Sequence, residues 1–193
     1  MIKYELIPEQ LLRENTCSPD NFFEPGIISD EIVLKTHEEE YFKRFRNLNL
    51  SKKEVREIGF PLSKELVTRE MTIAQGTIDC VNYSLKNGIS MNIAGGTHHA
   101  FYDRGEAFCM LNDQAIAAKH LINKKLAKKI MIIDLDVHQG NGTASIFSTN
   151  KEVFTISFHG KKNYPFRKEK SDIDVEFDDD TDDKFYLNKL KDI

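Results

Sequence analysis

The chain has 193 residues, 40% hydrophobic and 30% charged, the balance of a globular protein long enough to bury one sizeable core. Its formal net charge is only −4 and its Lys and Arg residues are scattered, which excludes the basic stripe that holds a phosphate backbone and makes nucleic acid an unexpected partner. Cys17, Cys80 and Cys109 stand far apart in no CxxC pair, which argues against a disulfide framework or a thiolate zinc site and for a reducing, cytoplasmic compartment, while the charged start MIKYELIPEQLLRE and the lack of a long apolar run argue against a signal peptide or a membrane span.

In chain order, Thr36 with Glu39 and Ser51 with Glu54 have capping-box spacing, with apolar positions recurring behind them at helical intervals, so the first third is predicted to be mainly helical. Between Ser63 and Leu85 the residues Leu66, Val67, Ile73, Ile78, Val81 and Leu85 suit a helix facing a core, stopped by Asn87-Gly88. ISMNIA, Ile89 to Ala94, is predicted as a short buried strand running into Gly95-Gly96, where the backbone can turn tightly. Asn112 or Asp113 caps a helix through LNDQAIAAKHLI. The apolar run Ile130 to Ile133 reads as a second strand buried on both faces, and VFTISFH, Val153 to His159, as a third. Strands alternating with helices predict a parallel sheet in one α/β domain over residues 1–193, with no repeat or linker. Eight of the twelve residues from Asp172 to Asp183 are acidic. Phe177 stands where a calcium loop needs glycine, so Ile173, Val175 and Phe177 fit an alternating strand with a solvated acidic face better.

Two stretches carry chemistry. GGTHHAFYDRGEAFC, Gly95 to Cys109, puts two adjacent histidines just beyond the strand predicted before them, and adjacent residues do not share one face of a regular element. IIDLDVHQGNGT spaces Asp134, Asp136 and His138 at alternate positions, which project to the same side if the strand continues that far. Two like charges side by side are costly without a cation or hydrogen-bond donors, so a divalent metal explains at least one of them. Gly140-Asn141-Gly142 then turns the chain at the carboxyl edge of the sheet, where open α/β sheets collect ligands. A single Asp or His at a strand end is more often a cap or loop contact; two such ends together favour a catalytic site.

GGTHHAFYDRGEAFCMLND, followed by IIDLDVHQGNGT and VFTISFHG, resembles the zinc-dependent histone deacetylase family, most closely its class IV branch and bacterial relatives, over most of the chain. The resemblance implies an arginase/deacetylase-like three-layer α/β fold with a central, mainly parallel sheet, and hydrolysis of the acetyl amide on a lysine side chain. It implies that Asp136 and His138 are two of three metal ligands, that Asp134 hydrogen-bonds the first histidine, His98, and that Asn141 orients the second, His99. A carboxylate behind His98 favours its cation, whereas the amide behind His99 is expected to leave that ring near its ordinary pKa. His99 would then trade protons with water and the leaving amine while His98 stabilises charge. Phe108 would line the channel for the acyl-lysine stem, with Tyr164 on the opposing wall. Asp134, Asp136, His138, Ser157 and the backbone around Phe158 match a structural site for a monovalent cation, K+ or Na+.

The pattern departs from the family in places. The third metal ligand, an aspartate, and a tyrosine that donates to the oxyanion have no counterpart and are expected beyond Ile193, and a preceding strand is expected before Met1. Ala107 replaces the glycine before the channel phenylalanine. The expectation is an incomplete deacetylase, weak or inactive as this chain, able to associate with the missing C-terminal segment. The alternative is a non-catalytic module that binds acetyl-lysine. An arginase-like manganese hydrolase is a third reading, with too few carboxylates for a two-metal bridge. Zinc and ferrous iron both suit an Asp, His, Asp ligand set.

Overall fold

The structure, a computed structural model, describes residues 2–193. The first half is helical: α1 (Lys3–Arg13), α2 (Asp30–Val33), α3 (Glu39–Arg46), α4 (Lys52–Ile58) and α5 (Lys64–Asn87). The predicted capping box of α4 is formed, with the Ser51 amide donating to Glu54 at 2.7 Å and the Glu54 amide to Ser51 Oγ at 3.3 Å. The one expected at Thr36 is not. Glu38 occupies the cap position of α3, and Thr36, two residues earlier, is fully buried with its hydroxyl unpartnered. Ser63 caps α5 through Leu66 N at 3.2 Å, and Gly88, at φ 87°, follows its last turn. Along α5, Val67, Met71, Ala74 and Ile78 recur at helical spacing and pack with Tyr41, Phe42 and Phe45 of α3 into the larger core.

Residues 89–94 do not form the predicted strand. Ile89 and Met91 are exposed, and Asn92 ties the segment to α5 by donating to Ile73 O at 2.9 Å and Thr77 Oγ1 at 2.8 Å. Alternating apolar residues make a strand only where a neighbour completes the ladder, and none of the described residues pairs with these.

The second half holds α6 (Asp113–Asn123), β1 (Ile130–Asp134), α7 (Asn141–Phe147), β2 (Val153–Gly160), β3 (Ile173–Phe177) and α8 (Asp183–Lys191). The strands form a parallel sheet in the order β1-β2-β3, with Asp134 in register with Ser157 and Ile156 with Ile173. On one face Ile132 and Val153 pack with Ala115 and Ala118 of α6 and Phe147 of α7. On the other, Ile156, Phe158 and Phe177 pack with Tyr186 and Leu190 of α8. The layering is therefore helix, sheet, helix, as expected. The second layer is partial: Met131, Ile133 and Phe154 remain exposed, so β1 is covered on one face only, not on both as its apolar run predicts. No helix among the described residues is long and apolar enough to cross a membrane.

Candidate active site

The loop before the paired histidines is held by a buried carboxylate. Asp113, at the start of α6, accepts from the Gly96 and Thr97 amides at 3.1 and 2.8 Å and from the hydroxyls of Thr97 and Thr77 at 2.7 and 2.6 Å. Four donors compensate a charge that burial alone would penalise heavily. The neighbouring Asn112 caps α6 through Ala115 N at 3.0 Å and donates to Ala100 O at 3.1 Å and Thr143 Oγ1 at 3.0 Å, joining the loop to α7.

The two rings lie 4.1 Å apart between centroids and take different partners. His98 donates from Nδ1 to Asp134 Oδ2 at 2.5 Å, and His99 from Nδ1 to Asn141 Oδ1 at 2.6 Å. Burial opposes charge on His98, but the hydrogen bond and charge of Asp134 outweigh it and hold the ring above its ordinary pKa. His99 departs from expectation. Burial and the charge of His98 push it down to about 4 against a partial offset from Asn141, so it rests neutral at pH 7 rather than near its titration point. The nearby Cys109 thiol is pushed up to about 12, chiefly by burial, and is no nucleophile near neutrality.

β1 ends at Asp134, so Asp136 and His138 sit on the bend beyond it rather than on a continued strand. The bend brings them together: Asp136 Oδ1 accepts from the His138 amide at 2.8 Å and from His138 Nδ1 at 2.9 Å. Both side chains are about half exposed, 51% and 44%. Burial would raise the Asp136 pKa, but the His138 amide and the charge of His98 lower it on balance. A carboxylate and an imidazole side by side and open to solvent fit two corners of a divalent-metal site. Among the described residues no third His, Cys, Asp or Glu joins them into a cluster able to hold a metal.

Tyr164 stands edge-on to His99 at 5.0 Å and to His138 at 6.4 Å between centroids. Phe108 lies in a loop pinned to α4, its amide donating to Ile58 O at 2.7 Å and its half-exposed ring 5.0 Å from that of Phe60. Ser157 lies opposite Asp134 in the ladder, but its hydroxyl is hydrogen-bonded to His159 Nδ1 at 3.0 Å, and Phe158 follows in the core under α8. The structure thus gathers His98, His99, Asp134, Asp136, His138, Asn141 and Tyr164, with Phe108 on the adjoining loop. Sequence reasoning took Asp113 only as a candidate helix cap, and it passed over Glu106, which accepts from both Asn141 Nδ2, at 3.2 Å, and the Tyr164 hydroxyl. Its only signal was a carboxylate inside the histidine motif.

Comparison with known proteins bears on the family and the fold. A family profile described as Histone deacetylase domain matches residues 2–193. An uncharacterized protein of Picosynechococcus is 40% identical over 190 residues, covering 98% of this chain and 63% of its own length. Acetoin utilization protein AcuC of Staphylococcus aureus is 28% identical over 176 residues, covering 85% of this chain and 45% of its own. Among solved structures, an HDAC homolog from Aquifex aeolicus superposes with a TM-score of 0.78 at 24% identity, over 92% of this chain and 53% of that one. An HDAC homolog complexed with SAHA gives 0.75 at 23% identity, over 93% and 56%. The chain spans less than two thirds of the length of each of these relatives.

Proposed function

The chain belongs to the histone deacetylase family, within the arginase/deacetylase superfamily, and from that premise we propose that its site serves metal-dependent hydrolysis of the acyl amide on a lysine side chain. The observation that carries the reading is the division of labour between the paired rings, a carboxylate behind His98 and an amide behind His99.

Asp136 and His138 would hold a divalent ion, zinc or ferrous iron, which when bound polarises the acyl carbonyl and lowers the pKa of a water. His99, neutral and with Nδ1 committed to Asn141, has only Nε2 free to accept the proton of an attacking water. It would return that proton to the departing lysine amine. His98, whose cation is favoured by the hydrogen bond and charge of Asp134, would stabilise negative charge developing on the carbonyl oxygen. Phe108 and Tyr164 would flank the stem of an acylated lysine, and Asp134, Asp136, His138, Ser157 and Phe158 would hold a structural K+ or Na+. Three free thiols suit a reducing, cytoplasmic setting.

A second reading, a module that binds acyl-lysine without turnover, is favoured by the lack of a third converging metal ligand among the described residues. Elemental analysis of the chain and of Asp136→Ala, with turnover of an acetyl-lysine peptide, separates the two. Near-stoichiometric metal that the variant loses, together with turnover, supports the hydrolase. Peptide binding with no turnover at any metal loading supports the module.

A further inference from the structure

Asn141 has an amide whose two ends are nearly the same size and opposite in hydrogen-bonding sense, so whichever end faces His99 decides which ring nitrogen carries hydrogen. Its oxygen faces the ring, accepting from His99 Nδ1 at 2.6 Å and from the Gly142 amide at 3.1 Å, while its nitrogen donates to Glu106 Oε1 at 3.2 Å. A carboxylate only accepts, so Glu106 can face nothing but the NH2 end. Glu106 is itself held, by the Tyr164 hydroxyl on the same oxygen and by Arg104 Nε 3.7 Å from the other, and its side chain is only 22% exposed.

We propose that Glu106 is a positioning residue: by fixing the Asn141 amide it sets His99 as the Nδ1–H tautomer and leaves the lone pair on Nε2. Its kinetic consequence rests on the hydrolase reading above; the tautomer itself does not. Gly142 supplies one lock on the amide and Glu106 the other, so removing the carboxylate frees the NH2 end to turn and donate to Nδ1, which moves the ring hydrogen to Nε2. The same oxygen reaches Tyr164, so one carboxylate orients both the ring that would take the proton and the aromatic beside it.

The test is 15N NMR of the histidine rings in the full chain at a pH where His99 is neutral, for the native protein, Glu106→Gln and Glu106→Leu. Glu106→Gln keeps an acceptor oxygen and should keep the Nδ1–H form. Glu106→Leu should raise the Nε2–H population at least about tenfold, and in a preparation that turns over it should lower kcat by a similar factor with little change in KM. An unchanged tautomer in Glu106→Leu overturns the proposal, as does an equal change in Glu106→Gln. Should Glu106→Leu not fold, Glu106→Ala gives the same reading with a smaller side chain. A tautomer shift in a protein without turnover leaves the positioning role standing and counts only against hydrolysis by this chain, whereas turnover with no tautomer shift overturns the positioning role and leaves the hydrolase reading standing.

Discussion

His37 provides a test of how acid destabilises this fold. The ring is almost fully buried, 1% exposed, and its Nε2 accepts from the Asn112 amide at 3.0 Å, at the start of the helix that caps the site loop. Burial pushes its pKa down to about 4, with the Phe101 and Tyr102 backbone offsetting part of this and the charge of Lys119 adding to it. In the unfolded chain the value is 6.5. The unfolded state therefore binds the proton first, so the contribution of His37 to stability is full above pH 6.5 and falls as pH drops through the window from 6.5 to about 4. By about pH 5 the loss amounts to about 2 kcal/mol, a large fraction of the stability of a small domain. His37→Gln retains an acceptor for the Asn112 amide and removes the titration. Urea unfolding of both proteins between about pH 7.5 and about pH 5 should show the native chain losing about 2 kcal/mol more than the variant. The comparison cancels what the other histidines do, including His99, whose depressed pKa acts in the same direction, and His98, whose raised pKa acts in the opposite one. Equal pH dependence in the two proteins would refute the reasoning.

Two further substitutions probe the scaffold of the site. Ala107 adopts φ 44°, a left-handed conformation that costs an L-residue roughly 1–2 kcal/mol, so Ala107→Gly should stabilise by about 0.5–1 kcal/mol after the added freedom of the unfolded chain is counted, read as a higher urea midpoint. Gly142→Ala would place a Cβ 2.3 Å from Ala100 O and 2.7 Å from His98 O, both backbone atoms that cannot swing aside. It should cost about 3 kcal/mol, while Gly26→Ala, with nothing within 4 Å, should be near neutral in the same unfolding assay.

What could be read in advance was local. Ser51, Ser63 and Asn112 announce their helices because a cap and the amide it serves lie within three residues of one another. The apolar runs of β1 and β2 and the alternation of β3 announce strands for the same reason. Ile89 to Ala94 carries the same pattern and stays irregular, because a strand is decided by a neighbour and not by its own residues. Spacing showed that Asp134 lies near a site; its pairing with His98 followed only from the family resemblance. The depression of His99 arises from burial and from a ring brought alongside by the loop, neither of which spacing reports. Glu106 meets Asn141 35 residues later and Tyr164 58 residues later, and nothing in its own neighbourhood marks either contact.

The attachment of the Phe108 loop has a dynamic consequence. Ala107 and Phe108 hang by their amides from Glu57 O and Ile58 O, the last carbonyls of α4, and the Phe108 ring lies over Gly59, where a Cβ would stand 2.8 Å from it. A seven-residue helix has little stability of its own, and its terminal turn is where fraying begins. Ile58 is buried in the larger core, so the loop keeps its place only as long as that packing holds the end of α4. An opening of that turn would release both anchors at once, and the Ala107 and Phe108 amides are therefore expected to exchange with solvent at a common rate.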